Sequence, residues 1–163
     1  MMSVFGFSTE PNTGGDFLPI VKYDARAGRM FRIDRIDTGQ GFISEPIDIT
    51  ANFKAIVDFE NLETGWIAFG GGRPDFKLVR IGHALPPRPA ATDERGKPLY
   101  SNGIRFMLKL SKECGGAKPI REIAGVAKAF VGGIEQVYIQ YQTEHGANVG
   151  KLPVIVQIGR AHV

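Results

Sequence analysis

Few residues in this chain could cut, transfer or ligate. His83 has no second His, Cys or carboxylate at a ligand spacing, and neither has His145, so a loop or surface role is expected of each rather than metal binding. Cys114 follows Lys112 and precedes Gly115-Gly116. A nearby cation lowers a thiol pKa, yet nothing else there builds a nucleophile, and a structural thiol is expected. Gly70-Gly71-Gly72 lacks the Lys-Ser/Thr ending of a phosphate loop, and Gly96-Lys97-Pro98 puts proline where a Mg²⁺-binding hydroxyl would be needed. Both predict turns. Asp34 with Asp37, and Asp93 with Glu94, lack the spaced ligand pattern of a cation loop and read as solvated charges. No nucleophile elbow is present. The expectation is a protein without catalysis, metal or cofactor.

Cations interleaved with aromatics suggest a different chemistry. Arg29, Arg32 and Arg35 surround Phe31; Lys54 precedes Trp66; Lys77 and Arg80 lie near Phe76; Arg105 and Lys109 share the non-core face of a strand pattern. Cations attract phosphates while flat rings stack on unpaired bases without demanding a sequence, so such a face suits single-stranded nucleic acid. The plainer reading is that charges lie on solvent faces and aromatics fill cores. Trp66 is the favoured stacking residue, although its neighbour Gly65 equally fits close packing in a core.

The elements that must position these residues follow from pattern. The 163 residues suit one domain, 43% of them apolar and 23% charged, while 21 Gly and 10 Pro favour turn-rich β structure over a helix bundle. One cysteine excludes an internal disulfide framework and fits a reducing, cytoplasmic compartment. No 18-residue apolar run and no basic-then-apolar leader occurs, so neither a membrane span nor a secretory signal is expected. Residues 1–16 read as a flexible arm and 17–157 as a single β-rich domain. Phe53, Ala55, Val57 and Phe59 alternate with Lys54, Ile56 and Asp58, predicting a half-buried strand. Gly65–Phe69 and Phe76–Ile81 predict two more, and Ile104, Phe106, Leu108 and Leu110 give a core face opposite Arg105, Met107 and Lys109. Between Leu85 and Pro98, four prolines predict a long mobile loop. From Pro119 a three-and-four spacing predicts a helix near 119–144, interrupted or kinked at Gly132-Gly133, and Leu152–Val156 begins a last strand.

The end of the chain reads differently. Ile158–Val163 matches one reading frame of a common sequencing-adapter oligonucleotide, so 158–163 is expected to be a non-native tail and the native chain to continue. Without Arg160 the formal charge of +3 falls by one, which makes net charge a weak guide to partners.

Mainly β structure with one helical segment, an α+β chain, is therefore expected. Its order suits an OB-fold-like Greek-key β-barrel in which three strands precede a helix and two follow, the final strand being lost with the native C-terminus. Asn52–Glu60 running into Gly65-Trp66, then Pro74-Asp75-Phe76, Gly103–Leu110 and Gly150–Val154, resemble a family of small phage and prophage proteins, some of which look like phage single-stranded DNA-binding proteins. The resemblance spans about Asn52 to Val156. It implies sheathing of single-stranded DNA in phage replication or recombination, in the cytoplasm of a host cell, with phage or host replication proteins and further copies of the chain as partners. Lys54, Trp66, Lys77, Arg105 and Lys109, joined by Arg32 and Phe31, are the binding residues it implies. The acidic C-terminal tail common in such proteins is not seen. The alternative is a phage virion or assembly component whose proline-rich loop and glycine-rich arm dock onto neighbouring subunits.

Overall fold

The computed structural model describes residues 19–70, 73–144 and 153–156. The expected arm and tail, His145, Gly71, Gly72, Gly146 and Gly150 lie outside them. Nine strands are described: β1 (Ile20–Asp24), β2 (Arg29–Asp37), β3 (Phe42–Asp48), β4 (Lys54–Val57), β5 (Glu63–Ala68), β6 (Asp75–Arg80), β7 (Ser101–Leu110), β8 (Ile120–Gly125) and β9 (Val154–Val156). Two helices join them, the single turn α1 (Lys112–Gly115) and the long α2 (Lys128–Glu144). The chain is mainly β with one long helix, as its composition predicts. No described helix is long and apolar enough to cross a membrane.

All nine strands belong to one strongly curled sheet, seven of them in the order β3-β2-β1-β8-β7-β4-β9 and β5 and β6 off this path. The ten-residue β7 organises it. One edge of β7 pairs with β8; the other pairs with β4 through Leu108–Leu110 and with β5 through Ser101–Arg105, and β5 carries β6. Only β1 and β8 run parallel among the described pairs. This order departs from three strands, a helix and two strands, because seven strands precede α1 and β8 stands between the helices.

Alternation sets the two faces. Ile104, Phe106, Leu108 and Leu110 are buried, as are Phe53, Ala55, Val57 and Phe59, while Lys54 and Lys109 point the other way into solvent. On the buried face lies α2, whose Phe130, Ile134, Val137, Tyr138 and Tyr141 pack on the core. Phe59 sits with Tyr141 and Tyr138 at ring-centroid distances of 5.3 and 5.6 Å, and Phe106 stacks on Phe130 at 6.4 Å. Such pairs add to the area that they bury.

Three expectations need correction. The helix does not begin near 119: Ile120–Gly125 is strand β8, and α2 starts at Lys128. Ile120 and Ile123 fit a helical spacing, but Arg121 and Ile123 alternate as well, and pairing with both β7 and β1 rewards the strand. Gly132-Gly133 neither stops nor interrupts α2. Glycine costs about 1 kcal/mol per position in a helix, which the aromatic packing outweighs. The proline-rich segment is not free chain: Thr92 bridges Pro98, Leu99 N donates to Ala91 O at 3.0 Å, and the Asp93 carboxylate accepts from Arg95 N and Lys97 N. β6 and β7 both run antiparallel to β5 along its opposite edges, so residues 81–100 are a crossover spanning one side of β5.

Candidate nucleic-acid interface

Strand register decides which candidates can act together. In β5, Trp66 lies opposite Lys77 on one side and Asn102 on the other, so these three share a side of the sheet. It is the same side as the buried Ile104 and Phe106. The crossover descends onto it there. Trp66 Nε1 donates to Pro86 O at 2.7 Å, and the guanidinium carbon of Arg88 sits 4.7 Å from the indole centroid. At the margin Lys77 Nζ lies 3.7 Å from Asp75, whose carboxylate also accepts the Tyr100 hydroxyl. That hydrogen bond pushes the Tyr100 pKa up.

Gly65 makes the platform possible. Its φ is +153°, and a Cβ there would come within 2.3 Å of Lys77 O. Across the ladder it faces Gly103, where a Cβ would meet the Ile67 side chain at 2.5 Å. The glycine of Gly65-Trp66 thus marks close packing, and the tryptophan faces away from that contact.

The remaining candidates are dispersed. Arg105, Lys109 and Lys54 lie on the opposite side of the sheet from Trp66. Arg105 is occupied: its Nη2 lies 2.9 Å from Glu63 and its Nε 3.2 Å from Glu122, and its guanidinium covers the Phe76 ring at 4.4 Å. Burial pushes the Glu122 carboxyl pKa up, opposed by Arg105 and reinforced by Glu63. Lys54 and Lys109 are exposed and without an ion-pair partner among the described residues. Phe31 is half-buried on that same side, between Lys22 and Asp48.

Arg32 belongs elsewhere. It lies on the core side at the far end of the sheet, its Nε 3.1 Å from Asp34 and its Nη1 donating to Cys114 O at 3.0 Å. Arg121, 3% exposed, completes that cluster by donating to the Ile20, Ile33 and Lys118 carbonyls and to Asp34. Cys114 is buried beside it, with Sγ 3.4 Å from Ser111 Oγ. Asp37 and Asp93 serve turns, Asp37 accepting from Gly39 N and Asp93 from Arg95 N and Lys97 N.

Sequence spacing misses Arg88. It stands in a different element from Trp66, and only the crossover brings the two together. The signal was its setting in Pro86-Pro87-Arg88-Pro89, where prolines restrict the backbone on both sides and so fix where the side chain starts. No family model, curated protein or solved structure matches the chain.

Proposed function

We propose that this chain binds single-stranded nucleic acid, DNA in the phage setting that the resemblance implies, and sheaths it during replication or recombination without catalysis. The observation that carries this reading is the Trp66–Lys77 cross-strand pair with Arg88 laid over the indole. Two cations and a planar group within one side of a short ladder match what a strand with unpaired bases offers: phosphates to attract and rings to stack. Lys77 stays available because its exposed contact with Asp75 is of the weak kind. Phage or host replication proteins and further copies of this chain are the partners in this reading, and the host cytoplasm is its place. The sheet's curl supports an oligonucleotide-binding barrel as the frame. Among the described residues no pair closes the ladder between β3 and β9.

The test is an anisotropy titration with a labelled single strand and the matching duplex at two salt concentrations. Single-strand binding that exceeds duplex binding and weakens with salt is expected. No binding at low salt overturns the reading.

A virion or assembly role is the second reading. Ile20, Ile120, Val154 and Val156 are exposed on the side of the sheet away from α2, an apolar surface suited to contact between subunits. Filaments or closed rings formed without nucleic acid would favour it.

A further inference from the structure

We propose that Arg88 is the residue of this site that touches nucleic acid, and that Trp66 is a positioning residue that holds it. The inference rests on the nucleic-acid reading and changes what its central residue does. Sequence alone gives Trp66 the stacking role, but the guanidinium of Arg88 already lies over the indole at 4.7 Å. A base cannot take the same place on the ring. The indole is fixed in turn, because its Nε1 donates to Pro86 O in the same short segment. Ring and guanidinium are therefore tied together twice, once by the hydrogen bond and once by the cation–π contact, with three prolines limiting the backbone between and around them.

The charge of Arg88 is also uncommitted. Arg29, Arg32, Arg105 and Arg121 each pair with a carboxylate. Arg88 is exposed and pairs with none among the described residues. A guanidinium stacked by one face keeps its donors around the rim and its second face open. The rim suits a backbone phosphate, and the open face suits an unpaired base. Lys77, opposite Trp66 on the same side, supplies a second cation. The ligand class is the sugar–phosphate backbone of a flexible single strand, read without sequence preference.

The experiment uses the full chain, labelled oligo(dT), and the variants Arg88→Ala, Arg88→Lys, Trp66→Ala and Trp66→Phe, with folding checked by circular dichroism. Arg88→Ala is expected to weaken binding about tenfold and to lower the salt slope by about 0.7, the loss of one phosphate contact on a single strand. Arg88→Lys keeps the charge but not the planar stack, and should fall between wild type and Arg88→Ala. If Trp66 acts through Arg88, Trp66→Ala combined with Arg88→Ala is no worse than Arg88→Ala alone, and Trp66→Phe restores most of the affinity. Unchanged or tighter binding by Arg88→Ala, with strong quenching of the chain's single tryptophan, would overturn the proposal by showing bases on the indole. Wild-type binding with an indifferent Arg88→Ala removes this inference alone. Absence of wild-type binding at low salt removes the nucleic-acid reading with it. Because Arg88 is an exposed loop residue, its two variants decide the matter even if Trp66→Ala does not fold.

Discussion

Arg121 Nη2 lies 2.9 Å from Asp34 Oδ1 at the end of the sheet's core side, in a guanidinium only 3% exposed. Around it, the carbonyls of Lys118, Ile20 and Ile33 accept three more of its N–H groups. One side chain thus ties β8 to β1 and β2. Replacing Arg121 by Ala strips several partly buried acceptors of their donor, while Asp34 keeps Arg32. A loss of about 3 kcal/mol is expected, the low end of the range for breaking a buried pair. Arg121→Lys should recover little, since a single ammonium cannot reach that spread of acceptors. Urea unfolding reads the result, and a loss under about 1 kcal/mol would contradict this account.

Gly65→Ala tests the close approach of β5 and β6. The added Cβ meets backbone oxygen of Lys77 at 2.3 Å, so no side-chain rotation relieves it, and the φ of +153° is unfavourable for alanine. The cost should reach the upper part of the roughly 1–3 kcal/mol typical of overpacking. Gly103→Ala should cost less: its closest contact is the Ile67 side chain rather than backbone, Gly125 O stands farther off at 3.0 Å, and its φ is not positive. Thermal denaturation of the two variants ranks them, and the reverse order would refute the argument.

Glu122 gives a pH dependence whose sign is fixed. Its carboxyl pKa is raised in the folded chain, chiefly by burial, so over a window starting at the ordinary carboxylate range the folded state binds more protons than the unfolded state. Its contribution to stability is fully present below that range and is lost as pH rises through the folded value. Glu122→Gln should flatten that part of the stability-against-pH curve, and Arg105 keeps Glu63 in the variant. Denaturant melts across the acid and neutral range measure the slope, and an unchanged slope would count against the burial argument.

Lys54 and Lys109 discriminate between the two sides of the sheet. Both are exposed on the side away from Trp66. With binding centred on Trp66, Lys77 and Arg88, the double variant Lys54→Ala/Lys109→Ala should keep its affinity for oligo(dT) within about twofold, whereas Lys77→Ala loses a phosphate contact and its share of the salt slope. A tenfold or larger loss in the double variant would move the site across the sheet.

The legible part of the fold is the part carried by alternation. The strands around Phe53–Phe59 and Ile104–Leu110 bury the residues that their period marks, because one face meets a helix and the other meets water. Where both periods fit, pattern alone fails: Ile120 and Ile123 satisfy helical spacing, yet hydrogen bonds to β7 and β1 make that stretch a strand. The composition of the candidate site was legible, its grouping less so. Trp66 and Lys77 fall together because β5 and β6 are neighbours in sequence and in space. Arg32 and Arg105 lie on patterns that look equally basic, but Asp34 in the same strand holds Arg32, and Glu63 and Glu122 from other strands hold Arg105.

By itself, then, the sequence determined the β-rich class, the faces of the central strands and which side chains carry charge beside a ring. Those follow from local sterics and from the period of two. Only the tertiary structure decided which charges are spent and which are free, since a guanidinium reads the same in sequence whether Glu63 and Glu122 flank it, as at Arg105, or an indole supports it, as at Arg88. Neutralisation and stacking need atoms within a few ångströms, and strand order and the crossover, not chain spacing, bring those atoms together.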